Sequence, residues 1–320
     1  MKFFVENVKY IICKGDLLMS KGQKNLVNAK KMQKDEFYTP LSAIENELTN
    51  YEMEFVDKTI FCNCDSIDSN FTRYFIMYFE RLKIKKIICS NYNFGKPSEI
   101  VSYDGCEIKK IKIQNTSFDS DELKDIYDEA DIVITNPPFS KFKKFVSFLI
   151  DLEMDFIILG NINAISYSSV FEKIVDKKIH LGFTKKDIRF VVPDDYESTS
   201  SMFKRIDDKN TILVKGVRWF TTFDINNRDY FVPLNSKSTD YFDVFDDMPE
   251  IINIDEANKM PINYCELMGV PITFLDKLNS KQFELVGQMA SSAKTRTNFG
   301  YPFVNGNKKY ARIIIRLRKE

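Results

Sequence analysis

Residues 131–139 read Asp-Ile-Val-Ile-Thr-Asn-Pro-Pro-Phe. Ile132-Val133-Ile134 is a short β-branched run of the kind that forms a strand buried on both faces. The run stops at Asn136-Pro137-Pro138-Phe139. Proline fixes φ and keeps the residue before it out of the helical region, so Asn136 is held extended. The carboxamide oxygen of Asn136 can then accept one hydrogen of an exocyclic amine, and the carbonyl of Pro137 the other. Phe139 offers a flat face to a base drawn out of its stack. For Pro-Pro alone the plainer reading is a capped turn after a core strand. The full tetrad after an Asp-led β-branched run favours a site that methylates the amino group of a nucleobase.

Short apolar runs alternate with helical periodicity on both sides of this stretch. Strands are expected at 59–62, 86–89, 108–113, 132–134 and 156–160. Thr39 suits a helix N-cap and Pro40 the first helical position, with Leu41, Ile44, Leu48 and Tyr51 recurring at helical spacing. Phe71, Tyr74, Phe75, Tyr78, Phe79 and Leu82 predict one amphipathic helix, with further helices at 121–128 and around Phe142, Phe145, Val146 and Leu149. Such alternation indicates a parallel α/β sheet. Ligands in these sheets sit beyond the carboxyl ends of the strands, where 62–65, 90–92 and 136–139 all fall.

The pattern changes near 188. Strands are expected at 188–193, 211–214 and 217–223, with a turn at Lys215-Gly216. Residues 233–265 carry Asp, Asn and Pro with little periodicity, and 291–300 are rich in Ser, Thr, Asn and Gly. At the end, Ile313, Ile315 and Leu317 alternate with Arg312, Arg316 and Arg318, predicting a strand with one apolar and one basic face.

Composition narrows the function classes. With 320 residues, 44% of them apolar, the chain can bury a large core and is expected to form two domains. The 46 basic and 46 acidic side chains cancel, which excludes a uniformly cationic surface but not a local DNA-binding cleft. No apolar run is long enough to span a bilayer. Met1-Lys2-Phe3-Phe4-Val5 lacks the apolar core of a signal peptide, so the cytoplasm is the expected compartment. Six cysteines are scattered, and disulfides are rare there. Cys62-Asn63-Cys64 has the wrong spacing for a zinc knuckle, and no metal site is expected. His180, the sole histidine, is read as structural, which leaves little material for a Ser-His-Asp triad or a Cys-His dyad. The absence of a Pro-Cys dipeptide argues against cytosine C5 methylation.

An ordered set of segments carries a family likeness. It comprises Asp35-Glu36-Phe37-Tyr38-Thr39-Pro40, Phe61-Cys62-Asn63-Cys64-Asp65, Ser69-Asn70-Phe71, residues 135–140, Gly160-Asn161-Ile162-Asn163-Ala164-Ile165 and residues 268–277. In this order they resemble the EcoRI-type adenine-specific DNA methyltransferases, over roughly residues 35–315. The resemblance implies a Rossmann-like, S-adenosylmethionine-dependent sheet with a C-terminal target-recognition region. It implies methylation of adenine N6 in double-stranded DNA, protecting that DNA from a partner restriction endonuclease or marking it. The organisation expected is a basic arm over 1–34, a catalytic domain over 35–232 and a target-recognition region over 233–320.

The likeness also assigns residues. Asn136, Pro137, Pro138 and Phe139 stand as the catalytic motif. Phe37, Tyr38, Thr39 and Pro40 match the segment that closes over the methionine part of the cofactor. Cys62, Asn63, Cys64 and Asp65 occupy the loop where many methyltransferases have a Gly-rich turn. Asn91 and Tyr92 stand where an acidic residue often binds the ribose. Asp119, Asp121 and Glu122 are candidates for a further acidic segment, or a surface helix start. Asn161 and Asn163 face the ligands or cap a helix. Trp219 and Phe220 are either a second wall of the base pocket or core. Lys294, Arg296, Lys308, Lys309 and Arg312, with Arg316 and Arg318, either line a DNA cleft or are ordinary surface charge. The basic arm is a phosphate-facing segment or a solvated terminus. Two alternatives stay open: an RNA adenine or protein-glutamine N-methyltransferase, which also use Asn-Pro-Pro-aromatic, and a non-catalytic DNA-binding descendant. The long region after residue 200 favours DNA, and the intact tetrad favours catalysis.

Overall fold

The computed structural model describes residues 38–91, 97–115, 117–194, 196, 200–225, 231–235 and 242–318. The expected basic arm, Phe37 and Tyr92 lie outside them. The described residues divide into two compact units, one within Met1–Gly160 and Gly182–Phe220, the other within Asn161–Leu181 and Thr221–Glu320. The division thus falls earlier than the expected 232/233, and the stretch from Asn161 to Leu181 belongs with the second unit.

The first unit is built on β1 (Thr59–Cys62), β2 (Lys86–Ser90), β3 (Ser98–Tyr103), β4 (Ile108–Ile113), β5 (Ile132–Thr135) and β6 (Asp155–Asn161). Four later strands follow: β7 (Ile188–Val191), β8 (Phe203–Ile206), β9 (Lys209–Val214) and β10 (Val217–Thr221). Within the first unit the large sheet runs β4-β3-β2-β1-β5-β6-β10, and β7, β9 and β8 form a smaller antiparallel sheet. Every residue of β1 and of β5 is buried, as continuous apolar runs require when both faces are covered. β1 pairs in parallel with β2 and β5, and β5 in parallel with β6. Parallel neighbours need a crossover, here supplied by helices. These helices are α2 (Asn70–Met77), α3 (Phe79–Leu82), α4 (Lys124–Glu129) and α5 (Phe142–Asp151), preceded by α1 (Leu41–Leu48).

Three local expectations are corrected. The helix expected through Leu82 breaks at Tyr78, whose φ of −109° and ψ of 14° leave the helical region. α1 is capped by Pro40 rather than Thr39, because the Thr39 side chain turns inward and its carbonyl accepts from Asn70 Nδ2 at 2.8 Å. β4 exists but is antiparallel, hairpinned to β3. Its turn is too short for a crossover: Gly105 has φ +89°, and Asp104 Oδ1 accepts from the N–H groups of Cys106 and Glu107 at 3.0 and 2.8 Å. Lys109, Lys110 and Lys112 are exposed along this edge.

Glu47 on α1 fixes the approach to β7. Its carboxylate is fully buried and accepts from Tyr51 Oη at 2.8 Å, Phe183 N at 2.8 Å and Thr184 N at 2.7 Å. A Cβ on Gly182 would lie 2.2 Å from Glu47 Oε1, so that glycine is required by close approach. β7 in turn exchanges two backbone hydrogen bonds with Tyr38, at 3.1 and 3.0 Å.

The second unit has α6 (Ser168–Val175) and a sheet of β11 (Val244–Phe245), β12 (Met248–Asn253), β13 (Leu267–Pro271), β14 (Phe283–Met289) and β17 (Arg312–Leu317). Between the last two lies a hairpin of β15 (Phe303–Val304) and β16 (Asn307–Lys308). The sheet order is β11-β12-β13-β17-β14, around a core of Phe245, Ile251, Met289, Val304 and Ile314. The weakly patterned 233–265 segment therefore supplies two strands. β17 lies inside the sheet, so Ile313, Ile314 and Ile315 are all fully buried and Arg312 is only 5% exposed. The expected alternation of an apolar and a basic face does not occur there. No helix among the described residues is long and apolar enough to cross a membrane.

Glu47→Ala would leave the part-buried N–H groups of Phe183 and Thr184 without their acceptor. The expected cost is roughly 3 kcal/mol, read as a lower urea midpoint at unchanged m-value. A midpoint equal to that of the parent chain would refute this anchoring role.

Candidate active site

The Asn-Pro-Pro-Phe turn begins where β5 ends. Asn136 and Phe139 are half-buried, while Pro137 and Pro138 are buried. Phe139 opens a 3-10 turn (Phe139–Lys141) that runs into α5, with the Lys141 N–H donating to Pro138 O at 2.9 Å. The Phe139 ring meets Phe190 of β7 edge to face, with centroids 6.5 Å apart and planes at 81°. Phe190 is fully buried, so the antiparallel sheet backs the motif ring.

The loop after β1 lies beside this turn, because β1 and β5 are adjacent and parallel. Cys62 sits in register with Cys89 of β2, and both are buried. Burial pushes the Cys62 thiol well up and the Cys89 thiol up to about 12, which makes both poor nucleophiles. Asn63 is 1% exposed; its Nδ2 donates to Tyr127 Oη at 2.6 Å, and its carbonyl accepts from Ser90 Oγ at 2.8 Å. The Cys64 N–H donates to Thr135 Oγ1 at 3.2 Å. Asp65 Oδ2 accepts from Thr135 Oγ1 at 2.5 Å and from the Asn136 N–H at 3.3 Å. Burial pushes the Asp65 carboxyl up to about 6, against hydrogen bonds that favour the charged form.

The Tyr38-Thr39-Pro40 segment joins this edge through the Tyr38 bridge to Val191. Asn91 is half-buried directly after β2. Thr39 Oγ1 and Asn63 Oδ1 are buried, with no hydrogen-bond partner among the described residues. Sequence reasoning passed over Thr135, Tyr127 and Phe190. The first was legible as the residue directly before Asn136, whereas the other two approach only through the tertiary fold.

Other candidates resolve into structural roles. Glu122 caps the backbone of Gln114 and Asn115 at 2.8 and 3.0 Å, Asp119 pairs with Lys144, and Asp121 opens a 3-10 turn. Asn161 Oδ1 accepts from Asn163 N at 2.9 Å, the capping arrangement. His180 Nε2 lies 3.0 Å from Lys177 O. Among the described residues there is no cluster of His, Cys, Asp and Glu suited to a metal ion.

The residues expected at DNA are placed unevenly. Trp219 and Phe220 are fully buried in β10, against Phe71 and Phe142 respectively. The base-wall expectation is corrected: both rings are fully buried and neither reaches a surface. In the second unit Lys294 and Arg296 are exposed, the latter 3.0 Å from Asp176. That loop is organised by Asn298, which is fully buried, donates to Ser291 O at 3.1 Å and accepts from the Ala290 N–H at 3.1 Å. Lys308 lies 3.3 Å from the centroid of the Tyr301 ring. Lys309 lies 3.4 Å from Asp255. Arg312 also bonds Asp255, at 2.5 Å, and reaches Asn253 Oδ1 at 3.2 Å from its buried position, so it is corrected from a cleft residue to an interior one.

A parallel sheet whose neighbouring strand ends carry Cys-Asn-Cys-Asp and Asn-Pro-Pro-Phe has the architecture of an α/β methyltransferase. Residues 25–318 match the family described as adenine-specific methyltransferase EcoRI. The chain is 36% identical to a type II methyltransferase of Mycoplasma genitalium, M.MgeORF184P, covering 90% of this chain and 97% of that protein. It is 34% identical to M.EcoRI of Escherichia coli, covering 92% and 97%. With M.MpnI of Mycoplasma pneumoniae the identity is 32%, over 91% and 97%. No solved structure matches the chain. The chain belongs to the EcoRI family of adenine-specific methyltransferases. It is a DNA adenine methyltransferase, and its reaction requires a methyl donor.

Because Trp219 is fully buried and its Nε1 has no partner among the described residues, Trp219→Phe is expected to cost roughly 1 kcal/mol of stability. Affinity for duplex DNA is expected to stay the same. Weakened DNA binding at unchanged stability would restore Trp219 to the interface.

Proposed function

We propose that the chain transfers the methyl group of S-adenosylmethionine to N6 of an adenine flipped out of duplex DNA, at a specific sequence. The observation that carries this reading is the Asn136 turn and the Cys64-Asp65 loop hydrogen-bonded together at the ends of adjacent parallel strands. The buried Thr39 Oγ1 and Asn63 Oδ1 supply a fit test for the cofactor: they are acceptors that a polar ligand would satisfy, at the strand edge where such ligands bind. Tyr38, Thr39, Pro40, Cys62, Asn63, Cys64 and Asn91 are the residues proposed to hold it, with Phe37 and Tyr92.

When bound, S-adenosylmethionine supplies an electrophilic methyl group on a sulfonium sulfur. The chain's own task is to make N6 a nucleophile. Its lone pair is conjugated into the adenine ring. The Asn136 side-chain oxygen and the Pro137 carbonyl accept the two amine hydrogens, favouring a more tetrahedral nitrogen. Phe139, backed by Phe190, stacks on the extruded base. Holding both reactants aligned contributes much of the acceleration. No strong base is needed, since the methylated ammonium is acidic and releases its proton afterwards.

In the second unit Lys294, Arg296, Lys308 and Lys309 are proposed to contact phosphates, which makes binding salt-dependent. A cognate restriction endonuclease and a cytoplasmic setting complete the proposal.

The test is transfer of labelled methyl to duplex DNA by the parent chain and by Asn136→Ala. The substitution is expected to lower kcat by about 100-fold or more, with cofactor affinity little changed. An Asn136→Ala enzyme of near-parent kcat would sink the catalytic assignment. A parent chain that binds cofactor yet methylates only RNA or protein would sink the assigned acceptor.

A further inference from the structure

We propose that Asp65 is a positioning residue for methyl transfer, its carboxylate holding Thr135 and Asn136 so that the Asn136 side chain meets the amine at a fixed angle. This rests on the role given to Asn136 above. It differs from the expectation that Asp65 serves the cofactor.

Four groups form a closed circuit across the two strand ends. The Cys64 N–H donates to Thr135 Oγ1 at 3.2 Å, and that hydroxyl donates to Asp65 Oδ2 at 2.5 Å. The same oxygen accepts the Asn136 N–H at 3.3 Å. Asp65 is itself fixed by its own N–H, which donates to Cys62 O at 3.3 Å. Thr135 is fully buried, so its hydroxyl has no bulk water to turn to. One carboxylate oxygen thus grips two consecutive residues, and this removes freedom from the peptide that aims Asn136. A pure cofactor ligand has no need of that grip. Chained hydrogen bonds also polarise one another, so loss of the carboxylate weakens the Cys64 link as well.

The circuit has a titration signature. Burial pushes the Asp65 carboxyl up to about 6. Titratable groups that interact with it include the thiols of Cys62 on β1 and Cys89 on β2, both held neutral by burial. From β5 it meets the Thr135 hydroxyl and the Asn136 amide, and from the start of α2 the Ser69 hydroxyl, none of which is charged. Protonating Asp65 makes it a weaker acceptor, so kcat falls as pH drops through about 6. Stability moves in the opposite direction. The native pKa lies above a carboxylate's ordinary value, so the folded chain binds more protons in that window, and this group's stability contribution grows as pH falls. Acid loss of activity is therefore separable from unfolding.

The experiment uses the full chain with Asp65→Ala, Asp65→Asn and Thr135→Val. Asp65→Ala is expected to lower kcat by roughly 10- to 100-fold, with the Kd for S-adenosylmethionine within about threefold of the parent. Asp65→Asn presents a neutral acceptor like that of the protonated acid, so its kcat is expected to stay near the parent's reduced low-pH value at every pH, with the acid limb gone. In a 15N-labelled sample the Asn136 amide resonance is expected to titrate with a midpoint near that of Asp65, and to stop titrating in Asp65→Asn. If Asp65→Ala does not fold, the other two variants carry the test.

A raised Kd for cofactor with kcat kept at saturation would overturn the proposal and make Asp65 a cofactor ligand. So would an Asn136 amide that ignores pH in the parent chain. An amide that titrates as expected in a chain that methylates no DNA leaves the coupling standing and removes the acceptor assignment instead.

Discussion

Ile60 and Phe61 pair in parallel with Ile132 and Val133, and that register decides where the chemistry falls. Two parallel neighbours end on the same side of a sheet. Residues separated by some seventy positions in sequence, Cys64 with Thr135 and Asp65 with Asn136, therefore meet without any further device. The apolar run that drives β5 into the core also sets the height at which Asn136 emerges. A one-residue slip of β5 would reverse every side chain in it and turn Thr135 away from Asp65. Burial of Ile132, Val133 and Ile134 on both faces forbids such a slip.

Much of this was legible in the chain itself. The strands at 59–62 and 108–113 were expected as found, and the β-branched run into Asn-Pro-Pro-Phe pointed to the right edge of the sheet. Local signals carried that far because those strands are buried continuously. Orientation was less legible: Ile108 to Ile113 has the same apolar content whether parallel or antiparallel, and only the Asp104-Gly105 turn decides. Trp219 and Arg312 were misplaced for a shared reason. An aromatic or a cation has no sequence mark that says which side of a strand will be covered, and both side chains are buried. Phe190 and Tyr127 come from elements whose approach to the edge is tertiary.

The neutral overall balance gains meaning from the second unit. Lys309 and Arg312 share Asp255, and Arg296 sits with Asp176. Exposed pairs of this kind are worth about 0–1 kcal/mol, so a phosphate can replace Asp176 beside Arg296 at little cost. Arg312 is different: at 5% exposure, and bonded to Asn253 as well, it braces β17 against β12. Equal residue types thus divide into cations that can be lent to a partner and one that is structural.

The second unit has its own sheet, and its core of Phe245, Ile251, Met289, Val304 and Ile314 is independent of the β1–β5 edge. The loop that Asn298 organises is held by hydrogen bonds made within that unit. Heredity can therefore revise the two halves of the chain at different tempos. On the DNA-contacting role proposed above for that loop, a lineage drifts to a new address on its polymer by changing the loop while its chemistry at the strand ends stays as it is.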